Sequence, residues 1–228
     1  MNPLSRLEEP SVKHLDSVVN NLTKETITMK LVSKLLQSVL FSLLLFTSPS
    51  QAKNVAIDPT NIYPKVKLET SMGIIVIELD RVKAPITVDN FLMYVITGEY
   101  DNTIFHRIVA DFIIQGGGYD GDYTPKKLNK DIVNESGNGL KNEIGTIAMA
   151  KESRPHTANR QFFFNINDNS NLDPGRHWGY TVFGAIVEGE EILAAMAKVK
   201  TDYNESLGWE DVPLEPIMLI KATLLPAE

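Results

Sequence analysis

The sequence predicts a mainly β protein, a closed antiparallel barrel of eight strands accompanied by two α-helices. Three observations carry this prediction. Short runs rich in β-branched and aromatic residues recur at close spacing from Lys65 onward, each bounded by Gly, Pro, Asn or Asp. Two other stretches place their apolar residues at helical spacing. Neither an internal repeat nor a low-complexity tract interrupts the series, so a single closed sheet can take all the strands.

The elements follow in order. Val66–Thr70 and Ile74–Leu79 flank Ser71-Met72-Gly73 and read as a hairpin. Ala84-Pro85 ends the second strand and opens a helix, because proline is tolerated at the first helical position. Val88, Phe91, Leu92, Val95 and Ile96 fall on one face of it, and Gly98 supplies the stop. Thr103–Val109 and Phe112–Gln115 are two strands joined at a tight Ala110-Asp111 corner. Strict alternation places Phe105, Arg107 and Val109 on one face, and Ile104, His106 and Ile108 on the other. The glycines at 116–118 are expected to let the backbone leave the sheet at a sharp angle.

Tyr119–Asn142 is polar and reads as a surface loop. Ile144–Met149, Gln161–Ile166 and Tyr180–Val187 are further strands, separated by polar Lys151–Arg160 and by turn chemistry over Asn165–Gly179. Gly189 starts a second helix whose Ile192, Leu193, Met196 and Ala197 share a face. Leu214–Leu225 is the closing strand.

The N-terminus reads as an address. Lys30 and Lys34 precede the apolar run Leu35–Phe46, and Pro49 leads into the small-x-small site Ser50-Gln51-Ala52. That is the order of a secretory signal peptide, and the apolar core is too short to span a bilayer. An uncleaved anchor shares the same basic flank; cleavage after Ala52 is the expectation. Signal peptides begin at the initiator, and Met29-Lys30 has the form of one, so 1–28 is expected to be an upstream, disordered over-extension. A cytosolic extension is the competing reading. The expected organisation is signal peptide 29–52, lead-in segment 53–64 and folded domain 65–228, with the mature chain periplasmic, monomeric and not membrane-bound.

Composition narrows the chemistry. A net charge of -7 leaves no basic surplus for nucleic acid. The absence of cysteine excludes disulfides, thiolate nucleophiles and cysteine-ligated zinc. His14, His106, His156 and His177 show no metal spacing, and His106 reads as a buried, hydrogen-bonded imidazole. Ser153 and Ser170 lack a nearby base, and Glu188, Glu190 and Glu191 form a solvated helix start. No Lys-Ser/Thr follows the glycines at 116–118, so they are not a phosphate cradle. What remains is an apolar patch with the Arg107 guanidinium and the Gln115 amide. A guanidinium among apolar residues is costly unless paired or used.

The segments FHR at 105–107, DFIIQGGG at 111–118, NEIGTIAMA at 142–150, RQFFFN at 160–165, LD at 172–173 and FG at 183–184 closely resemble the cyclophilin family of peptidyl-prolyl cis-trans isomerases. The resemblance runs from Lys65 to Leu225 and is nearest to the periplasmic bacterial branch. It implies an eight-stranded barrel capped by two helices, with the site on the outer surface and no metal, cofactor or covalent intermediate. It further implies that Arg107 is catalytic together with Phe112 and Gln115, and that Phe112, Ile113, Phe163 and Leu172 hold the proline ring. Gln115, Gln161 and the main chain around Ala150 and Lys151 would hold the substrate backbone, and Gln115 would also orient Arg107. Substrates would be proline-containing unfolded or extended polypeptides, here exported ones. A proline-segment binding or chaperone module with little turnover is the alternative.

Two positions depart from the family pattern. Asn171 stands where many members carry an aromatic residue that contacts cyclosporin, so weak cyclosporin binding is expected. Tyr180 stands where a histidine is frequent, and its phenol can still flank the pocket. Trp178 is close enough in sequence to cover the slot in part.

Overall fold

A computed structural model describes residues 57–227. The expected over-extension 1–28, the signal peptide 29–52 and the first residues of the lead-in segment lie outside the described residues. Ten strands and two α-helices follow Pro64: β1 (Lys65–Thr70), β2 (Gly73–Leu79), α1 (Pro85–Ile96), β3 (Thr103–Val109), β4 (Ile113–Asp120), β5 (Thr146–Met149), β6 (Phe162–Asn165), β7 (Val182–Glu188), α2 (Glu190–Met196), β8 (Thr201–Asn204), β9 (Trp209–Pro213) and β10 (Ile217–Leu224). Eight strands close a barrel in the order β1-β10-β3-β4-β6-β5-β7-β2, every pair antiparallel. Closure leaves no free edge in the main sheet. The β8–β9 hairpin stands apart as a second, two-stranded sheet beyond the eight expected strands.

The barrel interior is filled from alternate positions. β1 runs half-exposed, buried, half-exposed along its length, sending Val66 and Leu68 inward. Ile75, Ile77 and Leu79 of β2, Phe162 and Phe164 of β6, and Phe183 of β7 join them. Helix α1 adds Val88, Phe91, Leu92 and Val95 to this core as its stripe predicts, although Ile96 is left outside. Its first turn has no cap of its own. Instead the Glu135 carboxylate accepts the Ile86 and Thr87 N–H groups at 3.2 and 2.8 Å, pinning the long loop to the helix start. At the other end Glu99 N–H reaches Tyr94 O and Gly98 N–H reaches Val95 O, a Schellman closure that uses the positive φ of Gly98.

β3 and β4 depart from the expected pattern, and the departure matters for the site. Phe105 pairs with Gly116 and Arg107 with Gln115, so β3 carries one residue more than β4 between these pairs. The extra residue, His106, is a β-bulge. Phe105 and Ile108 therefore both enter the core, while Arg107 and Val109 face outward. The expectation that Phe105 shares a face with Arg107 is overturned, because the bulge shifts the side-chain parity by one.

The glycines do not leave the sheet either. They lie inside β4, where Gly117 adopts φ +82 and a Cβ would approach the Phe162 and Tyr100 rings to 2.9 Å. Glycine here lets the strand bend over the aromatic core. Among the described residues no helix is long and apolar enough to cross a membrane.

Candidate active site

The outer wall of the barrel carries a second apolar cluster. Because Phe162, Phe164, Ile114, Ile147 and Met149 point inward, their strand neighbours Phe163, Ile113 and Ala148 point outward. Ile113, Ala148, Phe163 and Val182 form its buried floor, and Phe112, Leu172, Ala150 and Tyr180 pack around it. The register sets the arrangement: Arg107 faces Gln115, Gln115 faces Phe163, Phe163 faces Ala148 and Ala148 faces Val182. One crosswise row over five strands thus runs from a cation through an amide to an apolar slot.

The slot's two movable sides are tied by buried asparagines. Asn169 Nδ2 donates to the Phe112 carbonyl at 2.9 Å and to Asn165 Oδ1 at 2.8 Å, and Asn165 Nδ2 donates to Thr146 Oγ1 at 2.9 Å. Asn142 donates to Asp173 Oδ1 through both its N–H and its amide. Burial works against the Asp173 charge, yet these bonds and Lys141 hold its carboxyl below the usual range. Tyr180 N–H closes the loop onto Leu172 O at 2.9 Å. Phe112 and Leu172, 60 residues apart in sequence, are thereby fixed to one scaffold. These asparagines lie in the segments NEIGTIAMA, RQFFFN and the turn after it, but nothing local marks them as positioning groups.

Arg107 sits at the rim, its side chain 39% exposed, and donates from Nη2 to Asp211 Oδ2 at 3.4 Å. A guanidinium has five N–H donors, so most remain free for a substrate. Gln115 does not orient Arg107, contrary to expectation: its Nε2 donates to Gln161 Oε1 at 2.8 Å. The orienting contact comes from Asp211 on β9, which holds a left-handed backbone at φ 59. Ala150 N–H is already donated to Gln161 O at 2.9 Å, which leaves the carbonyl to accept from a substrate. The Lys151 ammonium lies 4.6 Å from the Tyr180 ring centre, and Tyr180 stands edge-on to Phe163 at 5.5 Å. A groove of about 190 Å³ runs between Gln115, Ala150, Lys151 and Gln161. Trp178 does not cover the slot; its ring stands against His156 at 5.1 Å and is 53% exposed. Asn171 is exposed.

His106 is 6% exposed, the buried imidazole expected; a backbone bond to Ile104 works to raise its pKa, while its Nδ1 has no hydrogen-bond partner among the described residues. Burial first, and then the adjacent Arg107, pull its pKa down to about 4, so the ring is neutral near pH 7. It packs against Tyr119 at 4.8 Å and Trp209 at 6.0 Å.

The barrel is packed solid inside, so the apolar slot and the half-free guanidinium form a site on its outer wall rather than an enclosed cavity. The chain belongs to the cyclophilin family: Cyclophilin type peptidyl-prolyl cis-trans isomerase/CLD matches residues 65–224. It is 46% identical over 164 residues to a peptidyl-prolyl cis-trans isomerase of Streptomyces antibioticus, covering 70% of this chain and 98% of that one. Peptidyl-prolyl cis-trans isomerase A of Dickeya dadantii is 44% identical over 162 residues, covering 70% and 84%. A solved Cryptosporidium parvum cyclophilin type isomerase superposes with a TM-score of 0.60 at 25% identity, covering 73% of this chain and 99% of its own. The protein is thus a peptidyl-prolyl cis-trans isomerase, and proline-containing peptides are its substrates.

Proposed function

We propose that Arg107 accelerates rotation about X-Pro bonds by stabilising the twisted imide, without any covalent step. The observation that carries this is the partly exposed guanidinium at the edge of the Phe112, Ile113, Phe163 and Leu172 slot, whose one partner among the described residues is Asp211 at 3.4 Å. Rotation about a peptide bond costs ~18–20 kcal/mol because amide resonance is lost. The twisted nitrogen regains a lone pair that neither planar isomer presents. An N–H aimed at it binds the transition state more tightly than the ground states, which is what accelerates a reaction. The rigid fork of arginine suits that aim. Phe112, Ile113, Phe163 and Leu172 hold the ring, while Gln115, Gln161 and the Ala150–Lys151 main chain hold the flanking backbone and Tyr180 closes the far side.

Arg107→Ala should lower kcat/KM about 10²–10³-fold, the usual effect of removing one transition-state donor. Its unfolding midpoint should stay near that of the parent, because a half-exposed pair such as Arg107–Asp211 contributes less than ~1 kcal/mol. Parent-like turnover in that variant would refute the role.

The pattern of 29–52 supports the further reading that the chain is exported, cleaved after Ala52, and acts in the periplasm on exported clients whose uncatalysed X-Pro exchange takes tens of seconds or more. N-terminal sequencing of the cellular product tests this: Lys53 as first residue supports it, and a retained apolar run overturns it.

A further inference from the structure

Beside the proline slot, on the far side of Arg107, the β8–β9 hairpin walls off a recess of about 490 Å³. Arg107, Gln115 and Gln161 form its inner rim, and Tyr119, Trp209 and Tyr203 supply rings. Tyr119 and Trp209 meet at 4.8 Å with their planes tilted by 58°, so they form a corner rather than a stack. Tyr123 backs Trp209 at 6.2 Å. Tyr203 is 55% exposed, and Glu210 lines the mouth.

The two segments that supply the aromatic rings carry acids and no bases, although Lys126 and Lys127 follow the second. The segment 201–213 carries Asp202, Glu205, Glu210 and Asp211 and no Lys or Arg. The facing turn 119–123 carries Asp120 and Asp122, again with no cation. Arg107 is the one Lys or Arg that lines the recess, loosely paired with Asp211 at 3.4 Å, and Glu210 at the mouth makes no ion pair among the described residues.

We propose that this recess is a subsite for a lysine or arginine side chain of the substrate polypeptide, close in sequence to the isomerised proline. The inference rests on the reading of Arg107 and its slot as the place where the X-Pro bond turns, since the two share the Gln115 and Gln161 rim. A wholly apolar side chain would strip water from the Glu210 carboxylate without giving it a partner. A long cationic side chain lays its aliphatic stem on the rings and sets its head between aromatic faces and the Glu210 carboxylate. The hairpin therefore selects among proline-containing clients by charge.

The test is a peptide series on the full chain. In an otherwise alanine peptide with one proline, each flanking position is made in turn Lys, norleucine, Phe or Glu, and kcat/KM is measured. At one position Lys should exceed norleucine about tenfold, a ~1.4 kcal/mol difference, and Glu should fall below both. The advantage should shrink as salt rises from ~50 mM to ~500 mM. Glu210→Gln and Trp209→Leu should each cut the Lys-to-norleucine ratio at that same position, and Glu210→Lys should turn it in favour of Glu. The proposal is overturned if the alanine reference turns over while Lys equals norleucine everywhere, if Phe is the preferred side chain, or if Glu210→Gln keeps the full ratio. Failure of the alanine reference itself to turn over would instead sink the placement of the isomerisation site, and the subsite with it.

Discussion

His106 gives the sharpest quantitative expectation. The bulge in β3 leaves its ring 6% exposed, with an unpartnered Nδ1, and burial lowers its pKa from 6.5 to about 4. The folded protein therefore holds a neutral imidazole where the unfolded chain would take up a proton. The sign follows from linkage: the unfolded state binds more protons between these two values, so stability rises with pH across that window. The contribution is complete above the unfolded pKa of 6.5 and is lost as pH falls toward about 4. At ~1.36 kcal/mol per unit, a drop from about pH 7.5 to about pH 4.5 removes roughly 2.5 kcal/mol.

Glutamine is similar in size and does not ionise, so His106→Gln should lack this component. Urea unfolding of both proteins at the two pH values isolates it, because every carboxylate contributes alike to both and cancels in the difference. The stability of the parent relative to His106→Gln should fall by roughly 2.5 kcal/mol on acidification. Parallel pH dependences, with the gap constant to within ~0.5 kcal/mol, would show that the imidazole is not buried neutral, and the bulge geometry would be wrong.

Other expectations are more local. Arg160 is fully buried and donates to the carbonyls of Gly117, Lys127 and Glu99 at 2.7, 2.6 and 2.6 Å. Arg160→Met should lose about 1–3 kcal/mol in urea unfolding, because the buried Gly117 carbonyl is left unpaired while the part-buried Lys127 and Glu99 carbonyls lose a donor, and unchanged stability would contradict that role. Asp211→Asn removes the charge that aims Arg107 but keeps a residue tolerant of φ 59. Its kcat should fall about threefold to tenfold with KM little changed, whereas a purely structural Asp211 would shift the melting temperature and leave kcat alone. Cyclosporin should inhibit weakly, since Asn171 presents no indole beside Leu172. Asn171→Trp should tighten inhibition at least about tenfold, a gain of ~1.4 kcal/mol, and nanomolar inhibition of the parent would refute the reasoning.

The parts of this fold that were legible in the sequence are those governed by local periodicity. The alternation of β1, the stripe of α1 and its glycine stop can each be read from a dozen residues, and each holds apart from Ile96 at the end of the stripe. The outward slot was reached through motif resemblance, and Phe112, Ile113, Phe163, Leu172 and Tyr180 do meet there. What escaped has physical reasons. A bulge is a single extra backbone residue and leaves no mark on composition, so His106 reversed the predicted facing of Phe105. The β8–β9 strands are four and five residues long, acidic and largely unburied, so they lack the alternation that betrays a strand. Asp211 lies 104 residues from the guanidinium that it orients, a separation no local pattern can register.

Two arginines on the same barrel then divide into different roles for one physical reason. Arg160 and Arg107 both lie in motif segments beside phenylalanines, and the cost of a desolvated cation applies to both. Arg160 meets it internally: three carbonyls accept from its Nε, Nη1 and Nη2, the Tyr94 and Tyr100 rings flank it at 5.1 and 5.8 Å, and full burial keeps it from any ligand. Arg107 meets it by staying 39% exposed, with one acceptor at 3.4 Å that is itself half in solvent. A cation held that loosely adds little to stability, so its placement at the edge of a slot built from five strands serves another end. The bulge at His106 is what makes the difference possible. It turns Arg107 outward while Phe105 and Ile108 on either side stay in the core, so the site can change without disturbing the barrel that carries it.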